Sequence, residues 1–257
     1  MTRANRYFTS GNIWHIVHRC HKKEFLLKFK RDRDRWKHWL FEAKKRFGLS
    51  ILNYTITSNH IHLLVEDTSH QSIAKSMQLI AGRTAQEFNY RKKRKGAYWD
   101  DRYHATAIDT DRYLIQCLVY IDLNMVRAGV VSHPKDWFHG GYFELQNPTK
   151  RYRLINSKRL CELLSLDSEE SLRMSRAMWV DKALKRDKVF KEEKWTKSLA
   201  VGGLEFTEGF VESLGMKGQN RVIKLVDDTC VVNEPTAAYN TFFDVKKASL
   251  SGKKPLY

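Results

Sequence analysis

Residues 50–57 and 60–66 are two β-rich runs separated only by Ser58-Asn59, a spacing that suits a β-hairpin. The flanking segments extend it into a fold. Residues 12–19, rich in β-branched and aromatic types, read as a strand. Trp36, Trp39, Leu40, Ala43 and Phe47 recur at helical spacing over residues 32–47, with Gly48 as the stop. A second helical period runs over 71–90 through Ile73, Met77, Ile80, Ala81, Ala85 and Phe88. A short strand is predicted near 103–108. A third helix is predicted from an N-cap at Thr110 or Asp111 to Gly129, with Leu114, Cys117, Leu118, Ile121 and Met125 as its core stripe. This order of strands and helices predicts an α+β domain, an antiparallel sheet with helices packed on it.

Around Pro148 the texture changes. Residues 156–198 read as charged helix, with Asp167-Ser168-Glu169-Glu170 as a helix start, and Thr207–Leu214 before Gly215 as another short helix. Gly252-Lys253-Lys254-Pro255 reads as a loose tail. The expected organisation is therefore a first unit over 1–150 and a helical accessory region over 151–257, itself a candidate for DNA binding.

The 257 residues include 46 Lys and Arg against 29 Asp and Glu, a formal net charge of +17. Residues 1–100 hold 21 of the basic and only 8 of the acidic residues, so the positive field belongs mostly to the N-terminal half. A field of that sign steers nucleic acid and binds it through counterion release. Hydrophobic residues at 42% and aromatics at 12% exclude a disordered polycation. No apolar run approaches the roughly 20 residues of a membrane span. The start, Met1-Thr2-Arg3-Ala4-Asn5-Arg6, lacks the apolar core of a secretion signal. Cys20, Cys117, Cys161 and Cys230 are too scattered for a framework and read as reduced thiols in a cytoplasmic protein.

The sharpest local signal is Asn59-His60-Ile61-His62-Leu63-Leu64-Val65. On a strand His60 and His62 share a face while Ile61 turns away. Two imidazoles on one face make half of a divalent metal site; the alternative is a pair of half-exposed sheet histidines. Tyr120 and Asn124 are four apart on the third helix and stack on one face beside the core stripe, with Arg127 extending the same polar line. A carboxamide oxygen could complete the metal shell. A tyrosine one turn away would then stand beside any phosphate held there, as a nucleophile requires. The other reading of Tyr120 is a ring packed at the core edge.

His60-Ile61-His62, followed 58 residues later by Tyr120-Ile121-Asp122-Leu123-Asn124-Met125-Val126-Arg127-Ala128-Gly129, resembles the single-tyrosine HUH transposases, and among them the bacterial REP-associated tyrosine transposases. Trp99-Asp100-Asp101-Arg102-Tyr103-His104 and the opening strand ending in His18-Arg19-Cys20-His21 resemble that branch too. The resemblance covers roughly residues 8–147. It implies a ferredoxin-like HUH catalytic domain in which His60, His62 and Asn124 hold Mg²⁺ or Mn²⁺. Tyr120 would attack single-stranded or hairpin DNA, forming a 5′-phosphotyrosine and freeing a 3′-OH, and the repetitive palindromes of a bacterial nucleoid would be its substrate. Rejoining needs no nucleotide cofactor, in keeping with a sequence that has no G-x-x-x-x-G-K-[ST] motif. Met125 departs from the pattern, since many relatives carry proline there.

The run Arg91, Lys92, Lys93, Arg94 and Lys95, beside Tyr90 and Tyr98-Trp99, could clamp a phosphate backbone while the aromatics stack on bases, or could be a solvated loop at a helix C-terminus. Arg102, His104 and Arg127 are further candidate DNA contacts. His15, His18, Cys20 and His21 invite zinc, but alternation splits them between two faces and no second ligand pair follows. A non-cutting hairpin-binding protein is the rival reading, and a plasmid or conjugative initiator a third; the short chain with one candidate tyrosine argues against the latter. Monomer and dimer both remain open.

Overall fold

The computed structural model describes residues 8, 11–69, 71–149, 151–185, 192–219 and 221–234. The expected C-terminal loose tail, with Gly252-Lys253-Lys254-Pro255, lies outside them. The protein is α+β. Its first half supplies β1 (Ile13–Arg19), α1 (Lys30–Phe47), β2 (Ser50–Ile56), β3 (His60–Glu66), α2 (Ser72–Arg91), β4 (His104–Ile108), α3 (Asp111–Asp122), α4 (Asn124–Arg127) and α5 (Gly141–Gln146). The rest supplies α6 (Ser157–Leu163), α7 (Glu169–Leu184), α8 (Lys194–Lys197), β5 (Ala200–Gly202), α9 (Leu204–Ser213), β6 (Ile223–Val226) and β7 (Thr229–Val232).

The strands form one seven-stranded sheet in the order β2-β3-β1-β4-β5-β7-β6, antiparallel except between β4 and β5. The hairpin of β2 and β3 turns at Ser58-Asn59, as the sequence predicts. Strand β1 inserts beside β3 with Val17 opposite His62 and Arg19 opposite His60, and beside β4 with Val17 opposite His104 and His15 opposite Thr106. Period-2 alternation therefore puts His15, Val17, Arg19, His60, His62, His104 and Thr106 on one face. The other face carries Trp14, Ile16, His18, Ile61 and Leu63.

Helices α1 and α2 cover the second face. Helix α1 buries Trp36, Trp39, Leu40 and Ala43, and Gly48 closes it in the left-handed conformation (φ 65°), the cap that only glycine adopts without strain. Helix α3 lies on the histidine face, where the Thr55 hydroxyl donates to the Ile121 carbonyl at 3.0 Å. That bond bears on a correction. The sequence predicts one helix up to Gly129, but α3 ends at Asp122 and α4 begins at Asn124, with Leu123 between them at ψ 4°. The Ile121 carbonyl is drawn to Thr55, and the Asp122 carboxylate accepts from Asn53 Nδ2 at 2.9 Å and from Arg176 of α7 at 2.8 and 2.9 Å. The helix breaks where its last turn is claimed by tertiary partners.

Beyond residue 150 the region is helical, as expected, and Ser168 caps α7 by accepting from the Ser171 amide at 3.1 Å. Three strands join these helices and prolong the sheet, Ala200 and Val201 pairing with Ala107 and Ile108. Each is only three or four residues long, too short for alternation to show in the sequence. The four cysteines are free and buried. Among the described residues no helix is long and apolar enough to cross a membrane.

Candidate active site

The turn before β3 orients His60. The Thr57 hydroxyl donates to the His60 carbonyl and its oxygen accepts the backbone N–H groups of Asn59 and His60. His60 Nδ1 lies 2.7 Å from the Asn59 carboxamide oxygen and 3.0 Å from Thr57 Oγ1. An amide oxygen can only accept, so Nδ1 carries the proton and Nε2 carries the lone pair.

His62 is set by a longer chain of the same kind. The Trp195 carbonyl, in α8, accepts from His15 Nδ1 at 2.8 Å, which leaves His15 Nε2 as an acceptor. His62 Nδ1 donates to that nitrogen at 2.9 Å, so His62 too presents its lone pair on Nε2. Asn124 Nδ2 donates to it at 2.8 Å. Both rings are neutral: burial pushes His15 down to about 3 despite the Trp195 carbonyl, and burial, then the neighbouring His60 and His15, holds His62 well below its ordinary value.

Tyr120 is not beside the core, as its helical position predicts, but within it at 4% exposure. Its ring meets those of His15 and His62 edge-on, with centroids 6.0 and 5.9 Å away, and lies 6.1 Å from that of Trp195. Burial raises its phenol pKa, and the cation of Arg127 pulls the other way. Arg127 stacks 4.2 Å above the Tyr120 ring and donates to the Tyr120 carbonyl at 2.5 Å. His60, His62, Tyr120, Asn124 and Arg127 line a cleft of about 330 Å³ whose remaining wall includes Arg19, Lys23, Asn59 and Thr196. Arginine and lysine on that wall suit a phosphate guest.

The cleft thus gathers His60, His62, Tyr120, Asn124 and Arg127. The other candidates stand elsewhere. Arg91 is ion-paired with the buried Asp32 and lines a second, larger cleft of about 450 Å³ between α1 and α2. Arg94 folds back on Asn89, the Ala97 carbonyl and Glu24, while Lys92, Lys93 and Lys95 are exposed. Trp99 is half-buried and donates to the Ala81 carbonyl at 3.0 Å, Tyr98 is buried, and Tyr90 is exposed. His104 is bonded to the Ser198 carbonyl at 3.0 Å, and Arg102 is exposed away from the cleft. His15 and His18 occupy opposite faces, as alternation requires. Among the described residues no three His, Cys, Asp or Glu side chains cluster as a metal site.

The donor set nevertheless fits a divalent ion. Two imidazole lone pairs and a carboxamide are a mixed nitrogen and oxygen set, which suits Mn²⁺ better than the oxygen-seeking Mg²⁺. Asn124 now offers its nitrogen to His62, so ligation requires the carboxamide to turn its oxygen inward. Sequence reasoning missed the part played by His15, Trp195, Arg19, Lys23 and Thr196. Only the alternation along β1, which puts His15 and Arg19 on one face, could have pointed to any of them.

A family model described as "Transposase IS200 like" matches residues 9–124. Two solved structures match part of the chain. One, a REP-associated tyrosine transposase bound to a REP hairpin, is 17% identical with a TM-score of 0.49, and the match covers 58% of this chain and 87% of that one. The other, a transposase from Deinococcus radiodurans, is 14% identical with a TM-score of 0.33, covering 44% and 89%. No curated protein matches the chain. The matched residues 9–124 span the hairpin, both histidines, Tyr120 and Asn124, and over that stretch the chain is similar to the IS200-like transposases.

Proposed function

We propose that the protein cleaves and rejoins single-stranded or hairpin DNA, with Tyr120 as nucleophile and His60, His62 and Asn124 as holders of Mg²⁺ or Mn²⁺. The observation that carries this is the packing of the Tyr120 ring against His62 in one basic cleft with His60, Asn124 and Arg127. In the reaction the Tyr120 Oη–phosphorus bond forms and the bond from phosphorus to the 3′ oxygen breaks. The phenol loses its proton, the departing 3′ oxygen gains one, and the 5′ phosphate stays on the enzyme. A bound divalent ion supplies Lewis-acid polarisation of the phosphodiester. Arg127, stacked on the phenol ring, favours the phenolate against the desolvation that raises its pKa. Arg19 and Lys23 hold the flanking phosphates. The phosphotyrosine ester keeps the energy of the broken bond, so attack by a 3′-OH rejoins the strand.

In this reading the first 150 residues supply the reacting groups and the accessory region their support. The test is a labelled single-stranded oligonucleotide carrying a repetitive palindrome, incubated with wild type and Tyr120→Phe in Mg²⁺, in Mn²⁺ and in EDTA. Metal-dependent cleavage with a covalent protein–DNA adduct is expected for wild type, and neither for Tyr120→Phe. Tight binding without cleavage or adduct in either metal would establish the non-cutting binder instead.

A further inference from the structure

His15 belongs to no part of the reaction above, yet it is fully buried and both its ring nitrogens are engaged, one by the Trp195 carbonyl and the other by His62. A backbone carbonyl accepts and cannot donate. The proton on His15 Nδ1 is therefore fixed by the chain itself, and through it the proton on His62 Nδ1. The ring planes of His15 and His62 lie within 12° of each other at 5.1 Å, so the bond between them also sets the orientation of the His62 ring. The carbonyl is itself anchored. Residues 195–198 are tied to β4 by the Thr106 hydroxyl, which donates to the Ser198 carbonyl at 2.7 Å, and by His104 on that same carbonyl. The buried Trp195 indole donates to Glu192 at 3.0 Å.

We propose that His15 is a positioning residue for His62, and that the Trp195 carbonyl, acting through His15, locks His62 in the tautomer that directs its Nε2 lone pair into the cleft. The inference rests on the reading of His62 as a metal ligand. It makes residues 195–198 a working part of the site rather than an appendage. Partners of this kind on the far nitrogen of a ligating histidine change metal affinity by about 10–100-fold.

Two measurements test it without relying on DNA cleavage. NMR of isotope-labelled histidine nitrogens reads the His62 tautomer in the metal-free protein, and Mn²⁺ titration followed by electron paramagnetic resonance reads affinity. Wild type is expected to show His62 protonated on Nδ1. His15→Phe is expected to lose that signature and to weaken Mn²⁺ binding by about 10–100-fold. His15→Gln, whose amide oxygen can take the same proton, is expected to recover most of both. Wild-type His62 protonated on Nε2 overturns the proposal, and so does a His15→Phe protein with the wild-type tautomer and affinity. Should His15→Phe fail to fold, the wild-type tautomer and the His15→Gln affinity decide. Absence of Mn²⁺ binding in wild type defeats the metal-ligand reading itself, and the tautomer then decides whether His15 orients His62.

Discussion

The two faces of the sheet hold histidines from one strand to opposite ends. On the face under α3, His15 joins a hydrogen-bonded chain that runs from the Trp195 carbonyl through His62 to Asn124. On the face under α2, His18 lies flat against Trp99, with centroids 4.0 Å apart and planes 14° from parallel, and its Nε2 bonds the Asp101 carbonyl at 2.9 Å. Both rings are buried and both touch a carbonyl. What separates them is the second neighbour: an indole makes His18 a packing element, whereas another imidazole makes His15 a means of directing a lone pair. Residue type and burial do not assign a role; the far side of the ring does.

The largest expected effect concerns the support of the α3 face. Asp122→Ala leaves the fully buried Arg176 guanidinium without its carboxylate, and about 3–5 kcal/mol of stability is expected to go, measured by urea unfolding. The paired change Asp122→Leu with Arg176→Met is expected to restore most of it, and a double variant as unstable as the single one would refute this account. Acidification comes next. Burial holds His15 down to about 3 and His139 to about 4, against an ordinary 6.5, so the unfolded chain binds protons first. Their contribution is complete above about pH 6.5 and falls as pH drops toward those values, by up to about 1.4 kcal/mol per pH unit for each. Urea midpoints at neutral pH and at about pH 5 measure it, and His15→Phe is expected to flatten the slope. The smallest effect separates the faces. His18→Ala removes a ring stack and a hydrogen bond, costing about 1–3 kcal/mol, and leaves Mn²⁺ affinity at the wild-type value. A loss of affinity in His18→Ala would erase the contrast between the faces.

Much of the first half is legible in the sequence because its signals are local. The hairpin around Ser58-Asn59, the shared face of His60 and His62, the periods of α1 and α2 and the Gly48 stop all follow from neighbours in the chain. Asn124 and Tyr120 are found at helical spacing, and the cleft does hold both. What sequence reading misses depends on distant partners. The break at Leu123 comes from Thr55, Asn53 and Arg176 pulling on the last turn of α3. Arg176 sits in a stretch that reads as a charged helix face, and its full burial follows from Asp122, 54 positions away. Of the aromatics beside the basic run, Tyr98 is buried, Trp99 half-buried and Tyr90 exposed, a division set by distant packing that residue type does not show. The role of His15 depends on a carbonyl 180 positions later, and a carbonyl leaves no trace in residue type.

The parallel pairing of β4 with β5 has a consequence in time. A ribosome delivers His60, His62, Tyr120 and Asn124 well before it delivers Trp195 and β5, and long-range pairings of this kind form late and slowly. A nascent or prematurely terminated chain therefore has Tyr120 in place while the neighbouring His62 lacks the partner that orients it. Topology acts as a delay: the cleft is complete only once the segment that carries Trp195 has been synthesised.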